Sequence, residues 1–537
     1  MFAATSPARS SEISRVEARP LSEWSVEEKA GQLLMVGFRS VEQVKRIRPS
    51  GVILFAWNMP SVEKTKKLTV ELELLAKRDL RDGLFIATDH EGGEVLRLRK
   101  GLTGFPDAAA VGATGDEFTA FRVGKAMGHE LAALGINMNL APVLDLGNAR
   151  SFLRNRVWGN TGGDVARLTT AYIRGLQSAR VLAVAKHFPG HGGSAEDSHF
   201  GLPRVTKPFE DLWRQDLEPF RQAVKEGVQA VMTAHVEVPA IDRGPASLSP
   251  KFVTGILRQT LGFEGLVLTD DVEMGGATGV RGTPAEELAL RALRAGTDIV
   301  MVVWSEDKQR KIRDRIVQAV RDGEVTSQWL DEKVERILKA KASYLAAVGS
   351  EERNPYWQEN LRRSENLKLA AEVSRRGVVW MAGSQSELIG AFSKAWERPW
   401  QVVLPEGRTT RYWQETRRTD EVFSYRRNPT SVALESLRRT LRDAKKSGEP
   451  LLVVTGPRSS AAEASFRVIR EELGRSSLSA ETSAPVLWVH QGAKPVEFRR
   501  DPASLRIGIV GLHSASIASL MALSEFLRGE TLQTMSR

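Results

Sequence analysis

Cysteine is absent from the 537 residues, which excludes disulfides and thiolate metal sites. No apolar run reaches about 18 residues, so nothing reads as a membrane span. The opening MFAATSPARSSEISRVEARP has neither the basic flank nor the apolar centre of a secretory signal. Residues 1–23 are therefore expected to be a disordered lead-in, and the expected compartment is the cytoplasm. An exported protein whose signal had been removed reads the same. Phosphate-cradling patterns are missing too: GIVGLH and VTGPRS are lone glycine turns, with no G-x-G-x-x-G or P-loop. No His-x-His or H-E-x-x-H pair offers metal ligands. The net charge of +10 comes with no nucleic-acid-binding motif. Its modest clusters, Arg408 to Arg418 and Arg438 to Lys446, contain acids or lie late in the chain, and read as solvated surface. No cofactor, metal or nucleic-acid partner is expected, and the sequence leaves the oligomeric state open.

What is present is a soluble-type composition, 42% apolar and 26% charged, in a chain long enough for two domains. Near-continuous apolar runs recur at Leu33 to Phe38, Gly51 to Ala56, Leu84 to Thr88 and Ile136 to Leu144. They continue at Val181 to Lys186, Ala230 to Ala234, Leu266 to Thr269 and Asp298 to Val303. Between them lie amphipathic helical patterns such as Phe118 to Leu134, Phe209 to Glu226, Pro250 to Leu261 and Pro284 to Ala295. Ser25 and Glu28 have the spacing of a capping box ahead of the first strand. Eight buried strands alternating with helices predict an α/β fold of (β/α)₈ TIM-type barrel architecture over residues 24–350. An open doubly wound sheet is the alternative. Residues 351–366 read as a polar linker. Residues 367–537 have their own βα rhythm, with strands at 377–381, 401–404, 451–455, 486–489 and 507–510. They are expected to form a C-terminal α/β sandwich domain without a second active site.

The strand ends carry the chemistry. FIAT hands over to Asp89-His90-Glu91, NLAPV to Leu144-Asp145, and LAVA to Lys186-His187. VMTA hands over to His235, and LVLT to Asp270-Asp271. In a parallel barrel the carboxyl ends of all strands open on one face, so these groups are expected to converge on one pocket. The densest stretch is KHFPGHGGSAEDSHFGLP, where His187, His191 and His199, three of the chain's eight histidines, fall within thirteen residues. A carboxylate at one strand end can attack a carbon electrophile. An Asp-x-His pair such as Asp197 and His199 can donate and then recover a proton, because imidazole titrates near neutrality. Carboxylate nucleophile plus separate acid/base is the logic of a retaining glycosidase, with histidine in place of the usual second carboxylic acid.

Four segments, DHEGGEVLRLRKGLTGFP, KHFPGHGGSAEDSHFGLP, MTAHVEVPAID and LGFEGLVLTDDVEMGGA, closely resemble glycoside hydrolase family 3. More narrowly they resemble its bacterial β-N-acetylglucosaminidase branch, which acts on muropeptides in cell-wall recycling. The likeness spans roughly residues 24–345; the second domain is similar to the family's optional C-terminal domain only loosely. The resemblance implies Asp270 as nucleophile and His199 with Asp197 as the acid/base dyad. It implies Asp89, Arg97, Lys186 and His187 as contacts to the hydroxyls of the non-reducing sugar, with Asp271 standing behind Asp270. The implied substrate is a carbohydrate, cleaved from its non-reducing end by an exo-acting β-N-acetylhexosaminidase, with no cofactor.

Two departures stand out. Branch members usually carry an arginine in a Gly-x-Arg-Ser-Phe segment, whereas Val157-Trp-Gly-Asn-Thr-Gly-Gly here puts Thr161 at that position, with Arg154 or Arg156 as possible replacements. Gly193 stands where an aspartate is common. The sugar and aglycone are thus left open, as is phosphorolysis in place of hydrolysis, since a histidine acid/base does not repel phosphate. A non-catalytic sugar-binding descendant is the reading of another class, opposed by Asp270, Asp197 and His199. A metal-dependent hydrolase is opposed by Lys186 beside the histidines.

Overall fold

A computed structural model describes residues 20–80, 83–147, 153–277 (except 193, 195, 197, 199 and 200), 282–345 and 356–376. Beyond these it describes residue 439 and the strands of a C-terminal sheet. The lead-in before residue 20 and the two C-terminal basic clusters, residue 439 apart, lie outside the described residues, as do the helices expected in the second domain.

Eight strands form one all-parallel sheet: β1 (Leu34–Gly37), β2 (Gly51–Leu54), β3 (Phe85–Thr88), β4 (Met138–Asn139), β5 (Leu182–Phe188), β6 (Ala230–Thr233), β7 (Leu266–Thr269) and β8 (Val300–Val302). Each pairs with its sequence neighbour, and β8 returns to pair with β1. The bridge between Leu268 and Ile299 joins β7 to β8, with Thr269 N–H donating to the Ile299 carbonyl at 3.0 Å. The sheet therefore closes into a barrel, and the open doubly wound alternative, which requires a reversal of strand order, does not hold. The expected strands are apolar because both faces are covered: β1, β2, β3, β5, β6, β7 and β8 are buried along their whole lengths. Each fully buried aliphatic side chain contributes roughly 1.5–3 kcal/mol relative to exposure.

Helices cover the outside, as their apolar spacing requires. Val26–Gln32 begins with the expected reciprocal Ser25–Glu28 capping box. Glu117–Ala133 is capped by Asp116, and Ser327–Leu345 completes the ring. At the amino-terminal ends of the strands Asp298, fully buried, accepts from Arg258 and Arg336 at 2.6 Å each and from Val267 N–H at 2.8 Å. That mouth is tied shut by structural ion pairs. Chemistry is left to the opposite mouth.

Part of the stretch read as a linker is ordered. Trp357–Asn360 forms a helical turn and Ser364–Arg376 a helix whose Leu369, Ala370 and Val373 join the barrel's hydrophobic core. Glu130 anchors it by accepting from Arg362 N–H at 2.9 Å and from the Asn366 amide at 3.2 Å. Glu351 to Pro355 lies outside the described residues. The second sheet holds β9 (Val378–Ala382), β10 (Gln401–Pro405), β11 (Glu421–Tyr425), β12 (Leu451–Thr455), β13 (Val486–Gln491) and β14 (Ile507–Leu512), in the order β9-β14-β13-β12-β10-β11. All pairs are parallel except β9 with β14. The edge strand β11 was not foreseen from the sequence. No described helix is long and apolar enough to cross a membrane.

Candidate active site

The carboxyl ends of the barrel strands surround a cavity of about 450 Å³. Asp89, Arg97, Lys186, His187 and Asp270, five of the residues singled out in the sequence, line it together. Glu91, Arg156, His191, Ser198 and Asp271 join them.

The deepest feature is a line of alternating charge. Lys186, with a side chain 3% exposed, lies 3.0 Å from Asp89 and 2.7 Å from Glu91. Arg97 donates to the other Asp89 oxygen at 2.6 Å, and Arg156 grips Glu91 with two bonds of 2.8 and 2.9 Å. The sequence Arg97, Asp89, Lys186, Glu91, Arg156 places three cations against two anions. Burial works to raise both carboxyls, but their cationic partners overcome it: Asp89 is held far below the usual carboxylate range and Glu91 at about 2. Burial likewise opposes the charge on Lys186, and Glu91 and Asp89 more than offset it. Local structure explains the alignment. Asn139, at the end of β4, accepts from His90 N–H at 3.0 Å and donates to the His90 carbonyl at 2.9 Å, fixing the chain after Asp89. A short hairpin, His90–Gly92 with Val95–Leu96, then turns the backbone so that Arg97 returns to Asp89.

His187 is oriented from below. Its Nδ1 is 2.6 Å from Asp145 Oδ2, and the other Asp145 oxygen accepts from His191 N–H at 2.5 Å. Asp145, expected as a pocket group, is fully buried and does not line the cavity; it positions the two histidines. His235 is also behind the wall, with Nδ1 at 2.7 Å from Ser247 Oγ and Nε2 at 3.1 Å from the Asp271 carbonyl. Two glycines of this segment are required by the backbone. Gly190 has φ of 120°, and a Cβ on Gly192 would lie 1.9 Å from the Leu146 carbonyl oxygen.

Asp270 follows β7, its N–H bonded to the Thr233 carbonyl at 3.0 Å, and its Oδ1 accepts from Asp271 N–H at 2.8 Å. Asp270 and the buried Asp271 are both among the residues that line the cavity. Burial, with the negative charges of Glu273 and Asp270, pushes the Asp271 carboxyl up to about 7. Below that pH Asp271 holds a proton and adds no charge beside Asp270.

Of the two arginines near Thr161, Arg156 lines the cavity. Thr161 instead caps the helix Gly162–Ser178, its hydroxyl oxygen accepting from Asp164 N–H at 3.2 Å, and it does not line the cavity. Arg154's side chain, Gly193, Asp197 and His199 lie outside the described residues. Ser198, between the last two, borders the cavity, and its carbonyl accepts from Gly276 N–H at 2.8 Å. Glu91 was visible in the DHEGG segment but had no sequence signal of its own; its role depends on Arg156, 65 residues away. Among the described residues no group of three or more His, Asp or Glu is arranged to hold a metal ion.

Residues 25–340 match the family described as glycosyl hydrolase family 3 N terminal domain. The chain is 38% identical over 293 residues to the beta-hexosaminidase of Neisseria gonorrhoeae, covering 52% of this chain and 79% of that one. It is 37% identical over 277 residues to the beta-hexosaminidase of Methylobacillus flagellatus, covering 50% and 78% respectively. Among solved structures, a glycoside hydrolase family 3 beta-N-acetylglucosaminidase from Paenibacillus sp. superposes with a TM-score of 0.81 at 29% identity, covering 94% of this chain and 97% of that one. A barrel matched from its first helix almost to its last, closing on a charged pocket, makes this chain a glycoside hydrolase belonging to family 3.

Proposed function

We propose that this hydrolase is a retaining exo-β-N-acetylglucosaminidase that releases terminal non-reducing N-acetylglucosamine from peptidoglycan-derived or related glycosides. The observation that carries the reading is the presence of Asp270 in the same cavity as the buried line of charge from Arg97 to Arg156. Hydroxyl groups both donate and accept, so a site alternating carboxylate and cation suits a polyol. The named relatives support the N-acetylhexosamine part of the reading.

In this mechanism Asp89, Arg97, Lys186 and His187 hold the sugar's hydroxyls. Asp270 attacks the anomeric carbon while His199 gives its proton to the departing oxygen. The C–O bond to the aglycone breaks as the aspartyl ester forms. Water then attacks the same carbon, His199 takes its proton, and the Asp270 carboxylate is regenerated. Two inversions preserve the configuration. Asp197, two residues before His199, orients the ring and stabilises its charged form. Burial, with the nearby charges of Glu273 and Asp270, raises the Asp271 carboxyl to about 7, so below that pH it stands beside Asp270 protonated.

A panel of aryl β-glycosides (N-acetylglucosaminide, glucoside, xyloside, N-acetylgalactosaminide) with NMR of the first-formed product tests this. Preference for the N-acetylglucosaminide with initial release of the β-anomer is expected. Initial release of the α-anomer, or preference for the glucoside, would refute it.

A further inference from the structure

Three aromatic rings at the rim of the cavity take no part in the mechanism above. Phe55 and Trp57 stack with centroids 4.6 Å apart and planes inclined by 14°. Trp304 leans on both, at 5.3 Å from Phe55 and 5.5 Å from Trp57. They follow β2 and β8, the two strands that flank β1. Phe55 is buried, whereas Trp57 is 40% and Trp304 60% exposed, and all three border the cavity. Leaving two indoles in water beside a polar pocket is unfavourable unless something packs on them.

The group is held in place. The Arg39 guanidinium lies 4.1 Å from the Trp57 ring centroid, so Trp57 is engaged by both Phe55 and Arg39. The Glu273 carboxylate accepts from Trp304 N–H at 2.6 Å and Ser305 N–H at 3.3 Å, and pairs with Lys308 at 3.2 Å. Glu273 belongs to the same loop as Asp270, so the height of Trp304 is set by the segment that carries the attacking group. Trp304 is the ring with the most uncovered surface.

Depth assigns the role. The centre of the charged line, Asp89, Lys186 and Glu91 with side chains 3–13% exposed, occupies the more enclosed end, which suits the sugar that loses its bond. The exposed rim is left to whatever is attached through the anomeric oxygen. A pyranose presents a face of C–H bonds that packs on the electron-rich face of an indole, while its equatorial hydroxyls stay in water. We propose that Trp304, backed by Phe55 and Trp57, is the aglycone subsite, and that it selects a leaving group that is itself a pyranose. This deepens the N-acetylglucosaminidase reading and rests on it.

The test compares N,N′-diacetylchitobiose with methyl β-N-acetylglucosaminide, whose aglycone is too small to reach the rings. In Trp304→Ala the ratio of kcat/KM for the disaccharide to that for the methyl glycoside should fall about tenfold, and in Trp304→Phe less than about threefold. An unchanged ratio in Trp304→Ala, with wild-type enzyme active on both glycosides, would overturn the subsite alone. Wild-type enzyme inert toward both would overturn the sugar assignment, and this inference with it.

Discussion

Replacing Lys186 by methionine keeps most of the side chain's length and removes the central charge of the buried line. In the wild type its ammonium is bonded to Asp89 at 3.0 Å and Glu91 at 2.7 Å. Without it each carboxylate retains one guanidinium, Arg97 or Arg156, and faces the other carboxylate across an apolar gap. A hydrogen bond involving a charged group contributes roughly 1.5–3 kcal/mol, and breaking a buried ion pair from one side costs roughly 3–5 kcal/mol. The expected loss of unfolding free energy at pH 7.5 is therefore about 3–5 kcal/mol, read from guanidinium titrations in which the slope stays unchanged.

The pH dependence provides a sign. Burial tends to raise Asp89 and Glu91, but the cations hold both below their ordinary values. In the wild type their stabilising contribution is present above an unfolded-state pKa of about 4 and is lost only as pH falls through the lower folded values. In Lys186→Met both carboxyls rise and take up protons sooner, relieving the unpaired charge. The stability gap between the two proteins should therefore narrow between pH 7.5 and about 4.5. A gap under about 1 kcal/mol at pH 7.5, or one that does not change with pH, would show that Lys186 is not the keystone of these charges.

Arg156→Gln should lower kcat/KM roughly 30- to 150-fold, since Glu91 loses a two-bond partner and the cavity loses a cation. Thr161→Ala, by contrast, should cost about 1 kcal/mol of stability through its lost helix cap and leave kcat/KM within about twofold; a larger kinetic effect from Thr161 would return the missing arginine's role to that position. For Asp271, burial first and then the negative charges of Glu273 and Asp270 raise the folded value to about 7. The folded protein therefore holds a proton that the unfolded chain releases near pH 4, so stability falls as pH rises from about 4 to 7. Melting temperatures at pH 5 and 8 should differ more in the wild type than in Asp271→Asn, and equal differences would refute the assignment.

The barrel was legible because a strand covered on both faces is mostly apolar, a rule most of the runs from Leu34 to Val302 follow, although Met138–Asn139 is short and half polar and Leu182–Phe188 ends in Lys186, His187 and Phe188. Asp89, Lys186 and Asp270 were legible because they follow such runs directly, and the barrel then dictates where they meet. Other features follow no period. Thr161 and Arg156 are five residues apart in an irregular segment, and spacing alone does not tell which of Arg154 and Arg156 reaches the cavity that Thr161 leaves. Glu91 acquires its role only through Arg156. Asp145 follows its strand like the others, yet side-chain direction sends it beneath His187, which spacing does not reveal. The helix Ser364–Arg376 was partly hidden because its polar approach, Glu351 to Arg363, reads as a linker. The edge strand Glu421–Tyr425 mixes polar and apolar residues, the pattern expected where one side of a sheet is unpaired.

The proposed mechanism requires a covalent bond between the sugar and Asp270. A slowly hydrolysed substrate, 5-fluoro-N-acetylglucosaminyl fluoride, should accumulate that ester long enough for peptide mass spectrometry. One glycosyl adduct on the peptide containing Asp270, absent in Asp270→Ala, is the expected result. An adduct on another carboxylate, or turnover of aryl N-acetylglucosaminides at wild-type rate by Asp270→Ala, would contradict it.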